Sequence, residues 1–116
     1  MEFQITNLSN ATKVPFDLDG RIMCSNKKAE LIHLTLKSGE VLEKHSNPID
    51  VIFYVVQGKG ILQIENQQKE LGKDSCTDVK AGILRGWKNN DKEDLRILVI
   101  KLFDKKNELK RNSDGT

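Results

Sequence analysis

The sequence predicts an all-β domain built as a sandwich or barrel of short strands. The middle of the chain is made of short β-branched and aromatic runs, of which residues 51–56 (VIFYVV) are the clearest. Turn signals recur about every ten residues, and no helical periodicity of useful length interrupts them.

Taken in order, LIHLTL at 31–36 is an apolar run that stops at the turn signal Lys37-Ser38-Gly39-Glu40. The next run begins at Val51. Residues 51–56 are apolar on both alternating faces, so the strand is buried on both sides and its second face needs a cover. Gly58-Lys59-Gly60 breaks that run, Ile61-Leu62-Gln63-Ile64 resumes it, and Glu65-Asn66-Gln67-Gln68 turns the chain into a hairpin whose return strand ends near Leu71. Residues 74–79 form a weak strand and Ala81-Gly82 a turn. After the polar loop 89–94, residues 96–102 (RILVIKL) close the domain. The barrel domain is placed at 1–103, with an N-terminal arm and a core from about 30 to 103. Residues 104–116 are a polar tail, a frayed helical turn or disordered.

A chain of 116 residues is about one domain. With 37% hydrophobic and 31% charged residues it has the composition of an ordinary soluble protein. No apolar run approaches the roughly 20 residues needed to span a bilayer, and the start, MEFQITNLSNATK, does not read as a secretory signal. A net charge of +2, with lysines interleaved among acids, argues against nucleic acid as a partner. Cys24 and Cys76 have no second thiol or His at metal-binding spacing, so they read as reduced, structural thiols of a cytoplasmic protein.

The most informative segment is GEVLEKHSNPIDVIFYVVQG at residues 39–58. Its spacing of Gly39, His45, Asn47, Val51 and Gly58 resembles the first motif of the cupin family. A second segment, Lys80-Ala81-Gly82-Ile83-Leu84-Arg85-Gly86-Trp87-Lys88-Asn89, keeps the Gly82 and Asn89 of that family's second motif. Its opening glycine, best matched by Gly72, lies a residue or two too far upstream. The resemblance spans roughly residues 30–103 and implies a double-stranded β-helix (jelly-roll) barrel enclosing a small pocket, usually in a homodimer. In the family the positions of His45, Asn47, Val51 and Arg85 are the ligands of one metal ion, commonly His, His, Glu and His.

Of those four, only His45 remains a candidate ligand here. A catalytic metal takes about three His, Asp, Glu or Cys ligands. Asn47 is a poor donor, Val51 cannot coordinate, and Arg85 repels a dication, so no metal cofactor is expected. Asp50 points to the strand face opposite Val51 unless a bulge intervenes. Arg85 has two orientations open to it, into the pocket or out at the rim. Inside, a guanidinium requires a partner: a neighbour such as Asp50 or an anionic ligand gripped bidentately.

The expectation is therefore a pocket for a small carboxylate, sugar acid or phosphate, with Arg85 as anchor and His45, Asn47, Asp50 and Trp87 around it. Trp87 and Tyr54 are candidates to stack on a sugar ring, or else core residues. Phe53 and Val55 line the barrel beneath the mouth. His33 lies opposite Ile32, Leu34 and Leu36 on its strand and has a path toward His45, or else is structural. Strand alternation points Ser46 to the face opposite His45, which argues against a Ser–His pair, and metal-free acid–base chemistry would require His45 with a partner such as Asp50 or Tyr54. Three functions stay open: a small-molecule-binding barrel, a metal-dependent isomerase or dioxygenase using His45, and a structural or regulatory module whose interior is filled by its own side chains. A homodimer covering the outer strand faces competes with a monomer in which Phe3, Val14 and Phe16 cover them.

Overall fold

The computed structural model describes residues 1–103, and the polar tail expected at 104–116 lies outside them. Alternating apolar residues and frequent turns resolve into ten strands: β1 (Thr12–Lys13), β2 (Asp19–Ser25), β3 (Ala29–Leu36), β4 (Val41–His45), β5 (Asp50–Gln57), β6 (Lys59–Ile64), β7 (Gln67–Gly72), β8 (Cys76–Val79), β9 (Arg85–Lys88) and β10 (Leu95–Leu102). Neighbouring strands among the described residues pair antiparallel. They form a six-stranded sheet in the order β1-β2-β3-β10-β5-β8 and a four-stranded sheet in the order β4-β9-β6-β7. No helix among the described residues is long and apolar enough to cross a membrane.

The two sheets close on one apolar interior. In β5 burial alternates strictly, with Val51, Phe53 and Val55 inside and Ile52, Tyr54 and Val56 half-buried outside. β10 follows the same rhythm through Leu95, Ile97 and Val99. From β3, Ile32, Leu34 and Leu36 meet them, and Leu42, Leu62 and Trp87 supply the opposing wall. Sixteen buried hydrophobic residues form this cluster, and each removes enough apolar area to stabilise the fold by about 1.5–3 kcal/mol before entropy is counted.

Two glycines permit close approach between strands. Gly58 turns the chain at φ 80°, and a side chain there would run into the Asp94 carbonyl, so the β5–β6 corner packs directly on the start of β10. At Gly86 a Cβ would lie 2.5 Å from the Leu42 carbonyl oxygen and 2.9 Å from the Lys44 nitrogen. The cause is a bulge: Leu42 pairs with Trp87 and His45 with Arg85, so Glu43 and Lys44 together oppose Gly86 alone. Opposite these strands Asn89 ties three segments together. Its Nδ2 donates to the carbonyls of Leu36 and Glu93 at 2.8 Å each, and its Oδ1 accepts from the Asp91 amide.

The strands expected at 31–36, 51–56, 61–64, 74–79 and 96–102 are present, shifted by one or two residues at their ends. The hairpin turns through Glu65-Asn66, with Glu65 at φ 51°. β2, β4 and β9 were not legible as strands, because two of them are short and all carry charged or small residues in place of β-branched runs. The N-terminal residues do not cover the outer sheet face, the arrangement weighed as the alternative to a dimer. Val14 and Phe16 pack on the interior cluster beside Gly20 and Ile32, while Phe3 is 76% exposed. Both cysteines are free and exposed, so neither is a core-filling thiol.

Replacing Gly86 with Ala forces β4 off β9. The expected loss is about 1–3 kcal/mol of stability, read as a lower urea midpoint at unchanged slope. An unchanged midpoint would show that the bulge has room to give.

Candidate functional site

β9 is the shortest interior strand and its first three residues, Arg85, Gly86 and Trp87, are all buried. Alternation aims Arg85 and Trp87 at the same side, into the barrel. Arg85 is 2% exposed. Its Nη1 donates to the His45 carbonyl oxygen at 2.8 Å, and its guanidinium carbon lies 5.8 Å from the centroid of the Phe53 ring. Of the two orientations open in the sequence, the interior one is observed.

Below Arg85 the barrel is packed. Phe53 and Trp87 meet edge to face, 5.7 Å apart with planes at 84°. Trp87 is 0%, Val55 1%, Phe53 2% and Leu62 2% exposed, so no water-sized molecule reaches these side chains. Trp87 is thus a floor and offers no open face to a sugar ring. Its Nε1–H has no hydrogen-bond partner among the described residues, a state that costs about 1–3 kcal/mol for a buried donor.

The bulge in β4 determines where His45 goes. Without the extra residue His45 would alternate away from Leu42 and face solvent; with it, both residues sit opposite inward-facing partners on β9. The ring Nδ1 lies 3.0 Å from the Glu43 carbonyl oxygen, which can only accept, so Nδ1 donates to it. Asn47 is buried at 6%, and its carbonyl accepts from the Gly82 amide at 2.9 Å, joining the β4–β5 and β8–β9 loops at the mouth. His45, Asn47 and Arg85 are therefore brought together.

Asp50 is not part of this group. It accepts from the Ala81 amide at 2.9 Å and lies 3.8 Å from Lys80 Nζ, on the side of β5 opposite Val51, so it does not pair with Arg85. Tyr54 also faces outward and donates to Asp74 at 2.8 Å. His45 consequently has neither of the acid–base partners considered for it. His33 likewise does not project toward His45. It is buried at 6% on the outer side of the six-stranded sheet, where its Nε2 accepts from Arg96 Nε at 3.0 Å.

One inward residue escaped the sequence reading. Lys101 continues the interior phase of Leu95, Ile97 and Val99, is 3% exposed, and pairs in register with Val51. Its Nζ lies 3.6 Å from Glu30 Oε1. The signal was present as a lysine at the inward position of an otherwise apolar strand.

A family model described as a cupin domain matches residues 32–101. The chain belongs to the cupin family. No curated protein sequence matches it. Among solved structures it resembles the polyketide cyclase RemF from Streptomyces resistomycificus, with TM-score 0.77, 12% identity, and 89% of this chain and 81% of that one covered. It also resembles KdgF from Halomonas sp., with TM-score 0.74, 17% identity and coverage of 91% and 98%. An RmlC-like cupin with a double-stranded β-helix fold from Methanocaldococcus jannaschii gives TM-score 0.74, 17% identity and coverage of 88% and 91%. These likenesses establish the fold, a cupin double-stranded β-helix.

The residues of this cupin do not fit a metal ion. At the positions the family pattern gives to ligands stand one imidazole, one amide, one isopropyl group and one guanidinium. No three His, Cys, Asp or Glu side chains are grouped to hold a cation among the described residues. Arg85 adds a buried positive charge at a ligand position, which would oppose a dication.

Burial, and after it the Arg96 guanidinium, hold the His33 imidazole below its ordinary pKa. The folded state therefore resists protonation that the unfolded chain accepts near pH 6.5. The stability tied to neutral His33 is present above about pH 6.5 and is lost as pH falls through the folded pKa. In His33→Gln this part of the acid-side slope is expected to disappear, measured as urea midpoints between pH 7.5 and 5; an identical slope in both proteins would refute it.

Proposed function

We propose that this cupin binds a small carboxylate-bearing molecule at the mouth of its barrel, with the Arg85 guanidinium as anchor. The observation that carries this reading is a guanidinium buried in the barrel, in register with His45 and over Phe53, where the family pattern has a metal ligand. A fixed cation there suits a carboxylate, which it can meet with two parallel hydrogen bonds. His45 brings an imidazole and Asn47 a neutral amide to the same mouth. Lys101, in register with Val51, is also buried but is paired with Glu30 at 3.6 Å, so Arg85 is the anchor. Because Arg85 is enclosed, entry requires the loop at residues 80–84 to shift; it holds the exposed Ala81 and Gly82, the latter at φ 85°. Among the described residues the two acid–base partners considered for His45 are engaged elsewhere, Asp50 with the Ala81 amide and Tyr54 with Asp74, which favours binding over turnover.

A second reading rests on the packing of Trp87, Phe53, Val55 and Leu62: a barrel filled by its own side chains that acts as a structural or regulatory module. Titration distinguishes the two. Trp87 is the single tryptophan of the chain, so its fluorescence and its one indole N–H resonance report on the barrel alone. A saturable response to a small carboxylate such as succinate or gluconate is expected, weakened about 10- to 100-fold in Arg85→Met by loss of a charge-assisted pair. Equal affinity in Arg85→Met would remove Arg85 as anchor, and silence across a panel of carboxylates and sugar acids would favour the filled module.

The outward residues Leu31, Ile52, Leu98 and Ile100 are half-buried neighbours on the six-stranded sheet, and we propose that a second copy covers them. Light scattering should give the mass of a homodimer that Ile52→Lys converts to a monomer; a monomeric mass for the unaltered protein would overturn this.

A further inference from the structure

A cavity of about 210 Å³ opens on the outer side of the six-stranded sheet, away from the barrel mouth. It is walled by Leu8, Asp19, Arg21, His33, Thr35, Lys37, Asp94 and Arg96. The register explains the grouping: Thr35 pairs with both Asp19 and Arg96, and His33 pairs with Arg21, so outward side chains of β2, β3 and β10 converge. Three cations stand against two carboxylates. Asp19 is taken by Arg21 at 2.8 Å and Asp94 by Lys37 at 2.9 Å, which leaves the charge of Arg96 without a carboxylate in this cavity.

The donors are not used up. Arg96 gives Nε to His33 and Nη1 to Gln57, keeping Nη2; Arg21 gives only Nε to Asp19, keeping both terminal nitrogens. The hydroxyl of Thr35, a residue 8% exposed, has no protein partner among the described residues. Four donor groups from three adjacent strands thus meet around a space several times the roughly 30 Å³ of one water.

We propose that this cavity is a second binding site, for a small tetrahedral oxyanion of the phosphate type, held by Arg96, Arg21 and Thr35 with Lys37 at the rim. The forked guanidinium groups match the oxygen spacing of such an anion, and Thr35 donates the neutral hydrogen bond. The site is coupled to His33. An anion beside the ring favours its protonated form, opposing the Arg96 charge, whereas Asp19 and Asp94 already act in the anion's direction and Arg21 and Lys37 against it.

Inorganic phosphate, added to the full chain at low ionic strength, is the probe. The protein has only two histidines, so the His33 resonances are readily followed by NMR. Saturable binding with a dissociation constant of about 1 mM or tighter is expected, together with an upward displacement of the His33 titration. Arg96→Met and Arg21→Met should each weaken binding about tenfold or more, and Thr35→Val should weaken it less while leaving the charge intact. Should Arg96→Met fail to fold, Arg21→Gln and Thr35→Val carry the test. Absence of saturation by about 10 mM phosphate, or binding that survives Arg21→Met and Arg96→Met but is lost in Arg85→Met, would overturn the outer site and move the anion to the barrel mouth.

Discussion

The close approach of β9 to β4 is the constraint on which the rest of the site depends. A four-residue strand whose first three members are buried must be held on both edges, and on one of those edges only glycine leaves space for the doubled Glu43–Lys44 step of β4. That step re-phases β4 so that His45 stands beside Arg85. It also seats Trp87 against Leu42 and Phe53, closing the barrel floor. Arg85 then finds the His45 carbonyl, and a buried guanidinium becomes tolerable because it is hydrogen-bonded over an aromatic ring.

The interior of this cupin carries charged side chains. The inward position on β9 carries Arg85, and the inward position on β10 carries Lys101, which pairs with Glu30. A buried guanidinium and a dication repel one another, an interaction strengthened in a low-dielectric interior. The orphaned indole N–H of Trp87 fits an interior that retains one polar preference beneath an otherwise apolar floor.

The outer side of the sheet follows a different logic. Strand alternation that places Ile32, Leu34 and Leu36 inside must place His33 and Thr35 outside. Their burial comes from neighbouring strands, through Arg96 on one side and Arg21 on the other, with Leu8 of the arm closing the rim. A polar row on a sheet face can thus be as enclosed as a core position.

Some of this was legible in the residues alone. The runs at 51–56 and 96–102 fixed their strands, because β-branched alternation has few other outcomes, and the spacing of Gly39, His45, Gly58, Gly82 and Asn89 carried the family and its fold. The same spacing brought His45, Asn47 and Arg85 to one place. Asp50 and Tyr54 required only the period of two to be assigned outward, yet their partners, Lys80 and Asp74, come from other strands and were invisible. By itself, then, the sequence determined an all-β cupin barrel with Asn47, Val51 and Arg85 at three of the family's ligand positions, since residue type and local alternation are one-dimensional properties. Only the tertiary structure decided that Arg85 points inward, that Trp87 is sealed, that Lys101 lines the interior and that His33 belongs to a second cluster. Each of those depends on register between strands far apart in the chain, and a one-residue bulge is enough to reverse which face a side chain takes.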